Sequence, residues 1–201
     1  MVAVIDYGVG NLYSVSKAFA ALGAEVTVTN DPAVLTSADK IVLPGVGAFG
    51  DCMDNFRATG LADTFLSLVQ KGKPVLGICV GMQILFESGE ESPGAVGLGI
   101  LRGTVRKINS HGEKIPHMGW NRLILTRRQA DLWQGLGEAP YVYFVHSYHA
   151  VPGDEGIITA RTMYGELVTA AVQKDNIWAT QFHPEKSGDV GLKILANFLS
   201  V

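Results

Sequence analysis

Cysteine is scarce: Cys52 and Cys79 are the only two in 201 residues. That excludes a disulfide framework, suits a reducing compartment and leaves thiol chemistry open. Charge is thin as well, at 17% of residues against 47% apolar, which excludes a disordered chain or a coiled coil. There is no basic excess. Sixteen Lys and Arg face nineteen Asp and Glu, a net charge of -3, so no global positive field exists to hold a nucleic-acid backbone. No apolar run approaches the roughly 20 residues of a membrane span, and Met1-Val2-Ala3-Val4-Ile5-Asp6 lacks a cationic leader segment. A soluble, unexported, cytoplasmic protein that avoids membranes and nucleic acid is expected. Repeats, low-complexity linkers and long charge runs are absent too, so residues 1–201 read as a single domain.

The first half alternates short β-branched runs with helical stretches, the pattern of an α/β fold with a mostly parallel central sheet flanked by helices. Strands are predicted at Val2–Asp6, Glu25–Thr29, Ile41–Leu43 and Val75–Ile78. Between them lie a helix carrying Leu12, Val15, Phe19 and Leu22 and ended by Gly23, a short helix opened by Asp31-Pro32, and helical spacing from Asp51 to Gln70 broken at Gly60. Beyond Glu91, Gly, Pro and polar residues punctuate alternating runs through Val105, Ile124 and Tyr141–Val145. These read as antiparallel strands appended to the parallel sheet, followed by a strand at Ile177–Gln181 and a closing helix at Gly188–Leu199.

The sharpest local feature is Gly77-Ile78-Cys79-Val80-Gly81-Met82-Gln83. A nucleophile is flanked by glycines two residues away on either side, after a strand and before a helix, as in a nucleophile elbow. A Cβ at either glycine would collide with neighbouring backbone in so tight a turn. The following helix would favour a thiolate through its amino-terminal N–H groups and dipole. A lone cysteine is otherwise a small buried hydrophobe, the reading given to Cys52.

A thiol nucleophile needs a base, and Phe182-His183-Pro184-Glu185 offers one. In an extended segment residues i and i+2 share a side, so Glu185 would take the second imidazole N–H while His183 faces the thiol; Pro184 favours that extended form. Pro44-Gly45-Val46-Gly47, directly after the third strand, is placed to border the elbow, with the N–H groups of Val46 and Val80 as oxyanion donors. Neither this loop nor Gly8-Val9-Gly10 completes a dinucleotide fingerprint. His146 and His149, three apart in an extended run, should face opposite sides, so no metal site is expected.

These motifs, in this order and spacing, resemble the triad-type (class I) glutamine amidotransferases. Asp6-Tyr7-Gly8-Val9-Gly10-Asn11, Pro116-His117-Met118-Gly119-Trp120-Asn121, Tyr143-Phe144-Val145-His146-Ser147-Tyr148 and His183-Pro184-Glu185-Lys186-Ser187 are similar to one branch, the glutaminase subunits of imidazole glycerol phosphate synthase. The resemblance implies the class I amidotransferase fold and L-glutamine as substrate. Cys79 would attack the carboxamide, His183 would move protons and Glu185 would orient His183. It also implies that Gly47, Gln83, Ser147 and Tyr148 hold glutamine, with no cofactor. The implied partner is a (βα)8-barrel cyclase in a heterodimer, met through Asn11, Met118, Trp120, Tyr143 and Lys186, which takes the ammonia into histidine biosynthesis. The Val46 peptide is implied to turn into the oxyanion site only when that partner is loaded, and Pro at position 45 is expected to freeze the loop. Val80 and Ser147 stand where relatives also use Leu and Thr. Two other readings stay open: a glutaminase subunit of anthranilate, aminodeoxychorismate or pyridoxal phosphate synthesis, and a non-catalytic scaffold of the same fold.

Overall fold

A computed structural model describes residues 1–201. The chain opens with β1 (Val2–Ile5), α1 (Leu12–Ala21), β2 (Val26–Thr29), α2 (Pro32–Ser37) and β3 (Lys40–Leu43), continuing through α3 (Phe49–Ala58), α4 (Ala62–Gln70), β4 (Val75–Ile78) and a single-turn α5 (Val80–Gln83). Local signals account for these boundaries. Asn11 caps α1 through its side chain, and Gly23, at φ +79°, turns the chain out of it. Asp31 accepts a bond from Ala33 N at 2.7 Å with Pro32 in the first turn of α2. Gly60, at φ +72°, separates α3 from α4, so the expected 51–70 stretch is two helices, the first beginning at Phe49.

The second half contributes β5 (Ser88–Gly89), β6 (Gly103–Lys107), β7 (His117–Arg122), β8 (Ile124–Leu125), β9 (Tyr141–His146), β10 (Tyr148–Pro152), β11 (Ile158–Tyr164), β12 (Glu166–Lys174), β13 (Ile177–Thr180) and α6 (Gly188–Ser200). The main sheet runs β2-β1-β3-β4-β13-β12-β11-β8. It is parallel from β2 through β13 and antiparallel beyond. The expectation of appended antiparallel strands holds for β12, β11 and β8. The remaining strands instead form a β10-β6-β5 sheet, antiparallel between β10 and β6 and parallel between β6 and β5, and a separate antiparallel β7-β9 pair.

The strands β1, β3, β4 and β13 are buried almost throughout, as parallel strands covered on both faces must be. Helices pack on both sides through apolar stripes such as Phe49, Cys52, Met53 and Phe56 of α3 and Ile194, Leu195 and Phe198 of α6. These side chains belong to one continuous cluster of 52 buried residues. No helix is long and apolar enough to cross a membrane.

Candidate active site

Three neighbouring parallel strands, β3, β4 and β13, end at the same edge of the sheet. Ligands gather at the carboxyl ends of such strands, and here those ends deliver Pro44–Gly47, Cys79 and His183. Cys79 N donates to Thr180 O at 2.8 Å, carrying the β4–β13 pairing one residue past Ile78. The chain then turns sharply, with Cys79 at φ 56° and ψ -115°, a conformation that costs a non-glycine residue about 1–3 kcal/mol. The flanking glycines make the turn possible. A Cβ on Gly81 would overlap the carbonyl oxygen of Leu43, and one on Gly77 would lie 3.0 Å from Gly81 O. The elbow is therefore present. The helix after it is only one turn long, Val80–Gln83, so the expected dipole support for a thiolate is correspondingly small.

His183 follows β13 by three residues and is extended, at φ -99° and ψ 97°, but Pro184–Lys186 forms a 3-10 turn. Glu185 thus reaches the imidazole from a turn, correcting the expected extended i, i+2 geometry; the contact itself forms, with Nδ1 to Oε1 at 2.8 Å. Both side chains are about 2% exposed or less. Burial opposes a charge on His183. The hydrogen bond to Glu185 and the charges of Cys79 and Glu185 outweigh it, so the imidazole is held well above its ordinary value. Nε2 itself has no hydrogen-bond partner within the protein. The backbone is bolted in place: His183 N donates to Tyr143 O at 3.0 Å, and Ser187 Oγ donates to His183 O at 2.6 Å while accepting from Tyr143 N at 2.9 Å. Ser187 had been noted only as part of a motif; its role as a fastener depends on β9 lying alongside.

The Pro44–Gly47 loop is tethered at three successive carbonyls. Tyr7 Oη donates to Pro44 O, Val80 N to Gly45 O at 3.3 Å, and Cys52 Sγ to Val46 O at 3.3 Å. Of the two expected oxyanion donors, Val80 N–H is thus engaged by Gly45 O in this structure. Val46 N–H makes no hydrogen bond to the protein, and its residue is 39% exposed. A Cβ at Gly45 would stand 2.5 Å from Gly81 N and 2.8 Å from Tyr7 Oη. Pro there would displace the loop instead of freezing it, a correction to the sequence expectation. Cys52 is wholly buried, and burial pushes its thiol up to about 11; its hydrogen bond makes it more than filler.

Cys79 and His183 open into one cavity of about 350 Å³, small but within the range of about 300–1,000 Å³ for small-molecule sites. Val46, Gly47, Val80, Gln83, Ser147 and Tyr148, all singled out from sequence, line it. Gln83 is not solvated: Nε2 donates to Tyr148 O at 3.1 Å and to Gln181 Oε1 at 3.0 Å, leaving its Oε1 without a protein partner. Gly47 adopts φ +94°, which a side chain would resist. Pro116, Val145 and His146 also line the cavity, from motifs that carry the resemblance but with no site role assigned to them from sequence, and Glu91 does so from outside any motif. Glu91, anchored by Phe49 N at 2.9 Å to Oε2, brings a carboxylate to the wall, and nothing in its Gly-, Ser- and Pro-rich surroundings signals that role.

Behind the wall lies a buried histidine pair. His146 Nδ1 donates to Tyr148 O at 2.8 Å, so its Nε2 accepts, at 2.9 Å, from His117 Nδ1; His117 Nε2 then accepts from Asn121 Nδ2 at 3.2 Å. Burial keeps both rings neutral, pulling His117 down to about 4 and His146 to about 3. His149 turns elsewhere, accepting from Thr169 N at 3.2 Å and facing Glu166. His146 and His149 therefore engage separate partners.

The residues assigned to a partner face are brought together in part. Trp120 and Tyr143 are cross-strand neighbours on β7 and β9 with their rings edge to face at 6.2 Å. Met118, Trp120 and Lys186 are exposed and Tyr143 half-buried. Asn11 is half-buried, and its side chain caps α1, whose helix packs against the turn carrying Lys186.

Residues 3–201 match the family described as glutamine amidotransferase class-I. The imidazole glycerol phosphate synthase subunit HisH of Methanothermobacter thermautotrophicus is 51% identical over 201 residues, covering 100% of this chain and 98% of the relative. The subunit of that name from Aquifex aeolicus is 51% identical over 196 residues, covering 97% and 94%. A solved structure titled "Crystal structure of glutamine amidotransferase" superposes with a TM-score of 0.79 at 23% identity, covering 100% of this chain and 98% of that one, a likeness of fold.

Proposed function

The chain belongs to the class-I glutamine amidotransferase family, and from that premise we propose that it is the glutaminase subunit of imidazole glycerol phosphate synthase. It hydrolyses L-glutamine to glutamate and ammonia. The observation that carries the catalytic reading is the convergence, in one cavity, of an elbow cysteine and a histidine whose far nitrogen is held by a buried carboxylate at 2.8 Å.

In this reading the Cys79 thiolate attacks the side-chain carboxamide carbon, and negative charge moves onto the carbonyl oxygen. Imidazolium His183 gives its Nε2 proton to the departing ammonia, leaving a thioester. The neutral imidazole then takes a proton from water as the water oxygen attacks the thioester carbon, and collapse expels the Cys79 thiolate beside imidazolium His183, restoring the starting pair as glutamate leaves. Glu185 fixes the tautomer and favours the imidazolium. Gly47, Gln83, Ser147 and Tyr148 hold the substrate, and the Glu91 carboxylate suits its α-ammonium group.

Val46 and Val80 N–H groups are the oxyanion donors, which requires the Gly45–Val46 peptide to turn so that Gly45 O leaves Val80 N–H. The tethers on Pro44 O and Val46 O support confining the motion to that one peptide. Gating of this kind suppresses wasteful hydrolysis until the partner is ready. Residues 1–201 act as one amidotransferase domain, a reading supported by the single continuous core. The partner is a (βα)8-barrel cyclase, docked on the face that includes Asn11, Met118, Trp120, Tyr143 and Lys186. It uses the ammonia to make imidazole glycerol phosphate and an aminoimidazole carboxamide ribotide. An exposed Trp beside a Tyr and a Lys suits an interface hot spot.

The test is glutamate release by the purified chain, alone and with the barrel cyclase and its nucleotide ligand. A large rise in the complex, abolished by Cys79→Ala without loss of complex formation, is expected. Appreciable activity alone with no rise would transfer the protein to another amidotransferase partner, and silence in both would leave a scaffold.

A further inference from the structure

We propose that Gln181 is a further catalytic residue, donating a carboxamide N–H to the Cys79 sulfur and aimed there by an ordered relay of buried amides. The proposal rests on the glutaminase reading and deepens it. Gln181 directly follows β13, is 0% exposed, and donates its main-chain N–H to Ala170 O at 2.8 Å, so its backbone is held by the antiparallel neighbour.

The direction of the relay follows from its far end. Tyr148 O is a carbonyl and can only accept, so the Gln83 atom facing it at 3.1 Å is Nε2. That same Nε2 faces the Gln181 side chain at 3.0 Å, and the atom it meets must accept, hence Oε1. With Oε1 committed, the Gln181 Nε2 group is left pointing at Cys79 Sγ, 3.8 Å away. His146 Nδ1, bonded to the same Tyr148 carbonyl at 2.8 Å, holds the anchor from the other side.

A thiol is a poor acceptor and a thiolate a good one, so a buried donor at this place favours the charged nucleophile. The single turn of α5 offers little dipole for that purpose. When the sulfur lone pair forms the bond to carbon, the N–H loses its anionic acceptor; its work is done before attack. Hydrogen bonds at such sites are long in the free protein and shorten in the substrate complex.

The test uses the full chain in complex with its partner subunit, comparing wild type with Gln181→Met, which keeps the length of the side chain, and Gln181→Glu, which keeps its shape. Removing a hydrogen bond to a charged group corresponds to about a tenfold loss. Gln181→Met should lower both the rate of iodoacetamide alkylation at Cys79 near neutral pH and kcat by about that factor, with KM changed less than about threefold. Gln181→Glu should show a deeper defect that shrinks toward acid pH, where the protonated carboxyl again donates; a purely structural role gives no such pH-dependent recovery. Alkylation and kcat within about twofold of wild type in both variants overturns the proposal. If the variants do not fold, hydrogen exchange of the Gln181 carboxamide is compared between wild type and Cys79→Ala: faster exchange without the sulfur supports the proposal, and equal exchange overturns it. A wild-type complex without glutaminase activity would be a failure of the functional reading instead.

Discussion

Acidification should weaken the fold at the His117–His146 pair, and by a predictable amount. Both rings are fully enclosed in hydrogen bonds that require them neutral, and His117 is also stacked between Phe144 and Tyr164 at 4.6 and 4.0 Å. In the unfolded chain a histidine titrates near 6.5, whereas His146 is held down to about 3 by burial. Between those values the unfolded state binds nearly one proton more than the folded state. Stability is therefore complete above about pH 6.5 and falls by about 1.4 kcal/mol per pH unit below it. For His146 that is about 2 kcal/mol between about pH 6.5 and 5, and His117, held at about 4, adds at most as much. The sum is a large share of the about 5–15 kcal/mol that stabilises an ordinary domain. His183 has the opposite shift: folded it keeps its proton throughout, so it loses no stability on acidification. Its small slope at about pH 6.5, where the unfolded ring is about half protonated, has the opposite sign and is common to wild type and variant. The assay is guanidinium denaturation at about pH 7 and about pH 5 for wild type and His146→Gln. The variant starts less stable, but its loss on acidification should be smaller by about 2 kcal/mol, because the carboxylates and His149 contribute equally to both proteins. An equal loss in the two proteins would refute the reasoning.

Other expectations follow from the same geometry. Glu185→Gln removes the charge that favours imidazolium and should lower kcat by at least about a hundredfold with little change in KM, measured as glutamate release in the partner complex. Gly81→Ala, whose Cβ would overlap the Leu43 carbonyl oxygen, should destabilise by about 3 kcal/mol or more in thermal unfolding. A melting temperature equal to wild type would mean that the elbow can relax. With Cys52 pushed up to about 11, peptide mapping after iodoacetamide treatment near neutral pH should find Cys79 modified and Cys52 intact. Preferential labelling of Cys52 contradicts that.

What could be read from residues alone was whatever depends on neighbours in the chain. Gly77 and Gly81 around Cys79 announced the elbow because a tight turn is a local steric problem. Asp31-Pro32 and Gly23 marked helix ends for equally local reasons. His183 and Glu185 were paired by separation, though the turn that joins them is 3-10 instead of extended. Family resemblance added the roles that locality could not supply. Hidden from both was everything decided by which strands become neighbours. Parallel pairing of β13 with β4 brings Gln181 beside a cysteine 102 positions earlier. Packing of α3 under the Pro44–Gly47 loop makes a bond donor of Cys52. The β7–β9 pair buries His117 and His146 against each other and gives both a fixed neutral tautomer. Elbow, caps and turns were thus determined by the sequence itself, because sterics and backbone bonding act within a few residues. The donor to the thiol, the tethers of the loop and the protonation states of the buried rings were decided only by tertiary structure, because hydrogen bonding and desolvation depend on atoms the chain brings from far away.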